Sequence, residues 1–414
     1  MKRSAILLLV VSAGLFLLLV GAAQADGTCE RMRAWLHGGG GSASGLLVVD
    51  AETEQVLCAS APSRSRPLAS NMKLFTTATA LSKLGPEYRI QTRLLHDGRI
   101  DEQGVLHGSL YLKGGGDPAL GTPSFYSSYL GGLGTNIFAL TPQVKAAGVK
   151  AIDGRIYADD TIFDRRRGVA DSGYATSPYI GPLSGLAFNS GFRGSTSASG
   201  FSSDPAKLAA TKLALSLRKA GVQVPTQVTL RPTPMFARGV GQLHSPTLDR
   251  IVNLTDVYSD NFFAETLIKL LGARFGGTGT TPAGAGVVEG FARSLGSGVQ
   301  ATDGSGLTRS NRASPRQVVE LLLGMQEDPA GEEFVQDLAL AGQEGTVADR
   351  MEGTAAYGRC RTKTGTISGV SNLSGYCFNR SGRVMAFSIL MAGVSNLTLA
   401  HLDQDRIAAA VAGY

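Results

Sequence analysis

The spacing of apolar positions changes several times along the chain. Residues 45–50 (Gly-Leu-Leu-Val-Val-Asp) and 55–59 are short apolar runs with a tight turn between them, which predicts an antiparallel hairpin. A short helix over 29–37 precedes it. Pro67-Leu68-Ala69 leads into a helical stretch from about Ser70 to Leu84, closed by Gly85-Pro86. From Glu87 the texture becomes short alternating segments, at 89–95, 105–113 and 154–158. Glycine-rich turns such as Gly114-Gly115-Gly116-Asp117-Pro118 separate them. One helix interrupts this region, over 205–220, with Leu213, Leu217 and spaced alanines on one face. Helical spacing returns at 248–257, 261–271, 282–295 and 315–326. Strand patterns follow at 359–364, 373–378 and 384–391, and an amphipathic helix over 397–411 ends the chain. No internal repeat is present.

Two strands at the start, helices in the middle, then three strands and a helix predict one discontinuous α/β (α+β) domain. Its antiparallel sheet draws strands from both ends of the chain and carries helices on both faces. The expected division is 26–86 with 244–414 as that domain, and 87–243 as a β-rich insertion.

At 414 residues the chain exceeds one ordinary core, and 43% hydrophobic with 17% charged residues is a globular balance. The 54 glycines favour a turn-rich mixed fold over a helical bundle. Residues 1–25 read as an export signal: Lys2 and Arg3, an apolar run from Ala5 to Val20, then Ala23-Gln24-Ala25 as a small-x-small cleavage site. The rival is an uncleaved anchor, since the run approaches the roughly 20 residues that span a bilayer. Cleavage leaves a protein outside the cytoplasm, in the periplasm or at the cell wall, with no stable membrane anchor. Lys2 and Arg3 carry part of the net charge of +6, so the remainder is only mildly basic. No basic run with interleaved aromatics points to nucleic acid. No His or Cys spacing resembles a metal site, and no cofactor is implied.

Four cysteines, Cys29, Cys58, Cys360 and Cys377, allow three disulfide connectivities in an exported chain. Cys360 and Cys377 stand symmetrically about Ser368-Gly369, so a hairpin there would bring them face to face and leave Cys29 for Cys58. Four buried thiols are the alternative.

Three motifs carry chemistry. In Ser70-Asn71-Met72-Lys73, residues three apart lie on one helix face, so Lys73 can reach the Ser70 hydroxyl. A serine is a weak nucleophile until a base takes its proton, and a lysine serves when burial lowers its pKa. Ser70 at a helix start also places developing negative charge near backbone donors. Ser216-Leu217-Arg218-Lys219 repeats the pattern, but mid-helix, where no free N–H groups surround the hydroxyl. Ser259-Asp260-Asn261 lies between two predicted helices and offers a hydroxyl for proton relay and an amide for a substrate peptide group; an ordinary helix cap has the same composition. Lys363-Thr364-Gly365-Thr366 lies on a strand, where lysine and hydroxyl can bind a carboxylate and Gly365 lets a substrate backbone approach. An exposed edge strand would also carry lysine.

In this order the three motifs resemble those of penicillin-binding proteins and class A β-lactamases. The chain is similar to the D-alanyl-D-alanine carboxypeptidase/endopeptidase family, the class C low-molecular-mass penicillin-binding proteins. Ser259 follows Ser70 by 189 positions, and a long insert between first and second motifs is that family's mark. Phe262 to Leu267 after the second motif, Asp303-Gly304-Ser305-Gly306-Leu307-Thr308-Arg309, Gly345-Thr346 before Arg350, Gly375-Tyr376 and Gly116-Asp117-Pro118 resemble it too. The resemblance implies Ser70 as acylated nucleophile, Lys73 as its base and Ser259 as proton relay to the leaving D-alanine. It gives Asn261 the substrate amide, and Lys363, Thr364, Gly365 and Thr366 the carboxylate end, with the N–H groups of Ser70 and Thr366 as oxyanion hole. Asp159, in Asp159-Asp160-Thr161-Ile162-Phe163, matches an insert segment whose aspartate meets the diamino-acid side chain of the wall peptide. Glu265, one helical turn past Asn261, reads as a deacylation helper or a structural ion-pair partner. The implied partners are peptidoglycan stem peptides, with β-lactams as covalent inhibitors. A serine β-lactamase and a non-catalytic wall-binding or sensing protein are the other readings.

Overall fold

The computed structural model describes residues 27–225 and 227–414; the expected export leader lies outside them. The chain forms two compact units. Of the described residues, one comprises 27–71, 312–326 and 338–414, the other those within 72–311 and 327–337.

The first unit is built on a six-stranded antiparallel sheet. Its order is Ala339–Leu340, Cys360–Ile367, Val370–Phe378, Val384–Ala392, Gly45–Asp50, Val56–Ser60. The N-terminal hairpin thus adds to the C-terminal strands through Gly45–Asp50 against Val384–Ala392, as the strand pattern predicts. Side chains alternate across a strand, and Val370–Phe378 uses both faces. Asn372, Ser374 and Tyr376 point to one face, where they bond Pro67, Leu68, Asn71 and the Leu322 carbonyl. Ser371 and Cys377 point to the other, toward Gln404 and Ala408 of the helix Leu397–Val411. Cys360 stands opposite Cys377 in register, and the two are disulfide-bonded. A second disulfide joins Cys29, in a helix over 27–40, to Cys58 of the hairpin.

In the second unit the helix Met72–Leu84 is buried from Met72 to Leu81, and its buried Thr77 and Thr79 hydroxyls are satisfied by the carbonyls of Lys73 and Phe75 one turn back. It packs against Leu248–Val257, Asn261–Phe275 and Thr281–Ser294. The segment 87–243 falls wholly in this unit. Its five-stranded sheet is mixed, in the order Val228–Leu230, Ile156–Asp159, Leu110–Lys113, Gln91–His96, Arg238–His244. A hydrophobic core running from Leu94 to Leu243 is drawn from this segment alone. The helix Pro205–Lys219 packs on that sheet, opened by Pro205 and by Asp204 accepting from the Lys207 amide.

Two expectations differ from the structure here. The run over 105–113 is two strands, Val105–His107 and Leu110–Lys113, in different sheets. Asp153 and Asp97 take the amides of Gly108 and Ser109, which removes them from a continuous ladder. The insert also holds two helices without a predicted counterpart, Pro123–Tyr129 and Leu140–Ala146.

Candidate active site

In the first unit, Ser70 lies in a single 3-10 turn, Ala69–Asn71, which runs directly into the helix Met72–Leu84. Ala69 has φ 45°, a left-handed conformation that costs a non-glycine residue roughly 1–2 kcal/mol. Strain of this kind persists only where the surroundings fix it. Here the sheet does so. Asn372 Nδ2 donates to the carbonyls of Pro67 (3.0 Å) and Leu68 (2.8 Å). Asn71 Nδ2 donates to the Lys363 carbonyl (2.9 Å), and its Oδ1 accepts from Ser374 Oγ (2.8 Å).

The third motif lies on Cys360–Ile367 beside this turn. A Cβ at Gly365 would stand 2.9 Å from the Leu68 carbonyl oxygen and 3.0 Å from the amide nitrogens of Ser70 and Asn71. Only glycine lets strand and turn approach so closely. Lys363 is buried, with Nζ donating to the Thr364 carbonyl at 3.1 Å. Thr364 Oγ1 bonds Thr346 Oγ1 at 2.8 Å, and Thr366 is exposed. The strand Ala339–Leu340 pairs only with Thr362 and Arg361, so residues 363–367 run on as the outer edge of the described sheet.

In the second unit, Lys73 is fully buried. Its Nζ donates to Asn261 Oδ1 (2.7 Å) and to the Ser305 carbonyl (2.8 Å). Burial pulls its pKa down to about 8, against the pull of Asp260, Asp256, Glu265 and Asp303, which raise it. A lysine so placed is close to the neutral form that can accept a proton. The cap role in the second motif belongs to Asp260, whose carboxylate accepts from the Phe263 amide at 2.9 Å. This leaves its two neighbours for other work. Ser259 sits at φ 58° between the helices, and Asn261 bridges Lys73 to the Tyr179 carbonyl, which accepts from Nδ2 at 3.0 Å.

Glu265 is buried one turn beyond Asn261. Its Oε1 accepts from the amides of Gly304 (3.0 Å) and Ser305 (2.7 Å), so it holds the segment whose carbonyl holds Lys73. Burial and then the charge of Asp303 raise its pKa. Asp303 in turn closes the loop over 303–308 by accepting from Gly306 and Thr308. Glu265→Gln keeps an oxygen acceptor and removes a charge that is only partly present where Lys73 titrates, because the Glu265 pKa is itself raised to about 8. The pH at which Lys73 becomes neutral, read from the rise of β-lactam acylation, should therefore move down only slightly in that variant, by well under about one unit. An unmoved pH profile would leave Glu265 a purely structural clamp.

The model of the D-Ala-D-Ala carboxypeptidase 3 (S13) family matches residues 36–199 and 192–412, nearly all of the chain. The chain belongs to this family. A D-alanyl-D-alanine carboxypeptidase from Actinomadura sp. is 31% identical over 455 residues, spanning 90% of this chain and 82% of the relative. Penicillin binding protein 4 from Haemophilus influenzae has the same fold. It is 19% identical, with a TM-score of 0.77 over 92% of this chain and 99% of its own. A second structure of that protein, complexed with a β-lactam, superposes with a TM-score of 0.71 at 19% identity over 88% and 94% of the two chains.

For this member of the D-Ala-D-Ala carboxypeptidase 3 family, each unit brings part of the expected set together. The first joins Ser70 to Lys363 and Gly365 through the sheet; the second joins Lys73 to Asn261. Ser70 and Lys73 are three residues apart on one continuous helical stretch. Ser216, the repeat of the first motif, instead bonds Thr141 Oγ1 at 2.7 Å inside the insert. Asp159, expected to meet the diamino-acid side chain, braces the insert in this structure. It is buried, and its carboxylate accepts from Thr161 and from the Thr233 amide. Sequence reasoning gave no role to Asn71 or to the Ser305 and Tyr179 carbonyls. Asn71 had one readable signal, its place inside the first motif; a backbone carbonyl has none.

Proposed function

We propose that the chain is a penicillin-binding, serine-type D-Ala-D-Ala carboxypeptidase that also cleaves cross-links as a DD-endopeptidase. The observation that carries this reading is Lys73: a buried amine with a lowered pKa, held by Asn261 and the Ser305 carbonyl, one helical turn after Ser70. Neutral Lys73 takes the Ser70 proton as Oγ attacks the carbonyl carbon of the penultimate D-alanine. The oxyanion is held by the amides of Ser70 and Thr366, a pairing supported by the approach of Gly365 to the Ser70 amide. Ser259 passes a proton to the departing amine, the C–N bond breaks, and D-alanine or a cross-linked partner leaves. Water then hydrolyses the ester and restores Ser70. Lys363 and Thr364 receive the terminal carboxylate, and Asn261 the substrate amide. A β-lactam enters by the same attack and stays as the ester.

The reading includes the domain division, with 87–243 as an inserted domain; its self-contained core supports that. It also places the enzyme outside the cytoplasm, in the periplasm or cell wall. No helix of the described residues is long and apolar enough to cross a membrane.

Incubation with purified monomeric and cross-linked muropeptides, read by mass spectrometry, tests the proposal. We expect loss of one alanine from monomers and splitting of dimers, both abolished by Ser70→Ala together with fluorescent-penicillin labelling. Wild-type protein that neither takes the label nor releases D-alanine would overturn it. Rapid nitrocefin turnover would replace it by a β-lactamase.

A further inference from the structure

The helix Asn261–Phe275 carries Asn261 at its start and Arg274 in its last turn, about 20 Å apart at the rise of an α-helix. Beside Arg274, within the second unit, is a cavity of about 470 Å³. Its lining includes Arg93, Lys113 and Arg274 and no carboxylate. Arg93 and Lys113 stand directly opposite each other on neighbouring antiparallel strands. Like charges so placed repel and destabilise a sheet. Asp159, next across the sheet from Lys113, is kept ionised by its bonds from Thr161 and Thr233 and offsets part of this charge without forming an ion pair. Among the described residues, none of the three cations has an ion pair or a side-chain hydrogen bond. The catalytic chemistry uses none of them. Arg93 and Arg274 are exposed and Lys113 is half-buried, so three cations without ion-pair partners line one open groove, an arrangement that a bound anion would neutralise.

We propose that this cavity is an exosite for a phosphate-bearing anion carried by a wall polymer. Phosphate fits better than a lone carboxylate. It offers more acceptor oxygens and charge to three cations, and two guanidinium forks can each grip it through paired N–H donors. The cavity is large enough to hold a phosphodiester with part of its flanking units. At about 20 Å from Asn261, the exosite would tether the enzyme to the wall without entering the reaction.

Calorimetric titration of the full chain at 0.15 M salt, with pyrophosphate and with poly(glycerol phosphate), tests this. We expect saturable binding of both, tighter for the polymer. Arg93→Gln, Lys113→Gln and Arg274→Gln combined should weaken it at least about tenfold. Lys219→Gln, at an exposed position outside the cavity, should not. Penicillin acylation should be unchanged in the triple variant, which separates failure here from failure of the proposed catalysis. Lys113→Gln alone should raise the melting temperature without anion, because it relieves the cross-strand repulsion. Absence of saturable binding, or equal binding by the triple variant, overturns the site. Citrate binding as tightly as pyrophosphate overturns the phosphate assignment, and binding of pyrophosphate but not polymer overturns the wall source.

Discussion

Lys73→Met will form the penicillin ester about 10²–10⁴ times more slowly than the wild type, the span typical of losing a positioned general base. Methionine occupies a similar volume in a fully buried site, so a folded protein is expected, and its melting curve checks that. The wild-type rate carries a second signature. Only the neutral amine accepts the Ser70 proton, and burial lowers the Lys73 pKa to about 8. Acylation should therefore rise as pH increases through that value and level off above it, where Lys73 is neutral. In Lys73→Met this limb disappears. A variant that acylates within about threefold of wild type would remove Lys73 from the mechanism.

Gly365→Ala should lower acylation about 10²-fold. The new methyl would press on the Leu68 oxygen and the amide nitrogens of Ser70 and Asn71, all main-chain atoms that cannot rotate aside. Strand or turn must move by several tenths of an ångström, and misplacement on this scale is costly where a nucleophile and oxyanion donors must meet one carbonyl. Stability should fall as well, by about 1–3 kcal/mol, the usual cost of overpacking. Stopped-flow penicillin binding and thermal melts measure the two separately. An undiminished acylation rate would show that the close approach plays no part in forming the oxyanion hole.

These two residues show what a sequence can and cannot disclose. Ser70, Lys73, Asn261 and the Lys363 strand, the residues of the proposed chemistry, stand out in the sequence because such chemistry needs fixed residue types at short spacings. The sheet is legible for a related reason: buried strands such as Val384–Ala392 carry apolar runs that turn residues bound. The support of the site is not. Lys73 is held by the Ser305 carbonyl, and Ser305 by Glu265, partners far apart in sequence whose meeting depends on tertiary packing. Nothing in the sequence around Glu265 shows that it grips the amides of Gly304 and Ser305. The bonding of Asp159 was hidden for the same reason, since Thr161 and Thr233 hold its carboxylate. Gly108 broke a predicted strand because two aspartates outcompeted the ladder for backbone donors.

The Cys360–Cys377 bond spans residues that already face each other across the hairpin, with Lys363 facing Ser374 three steps further on. A slip by one residue would turn every side chain of the motif strand over and bury the wrong ones. The covalent link makes such a slip impossible once formed. Oxidation after export thus does more than strengthen a small sheet: it selects, among the alignments open to the two strands, the one that directs the lysine to the same face as the nucleophile.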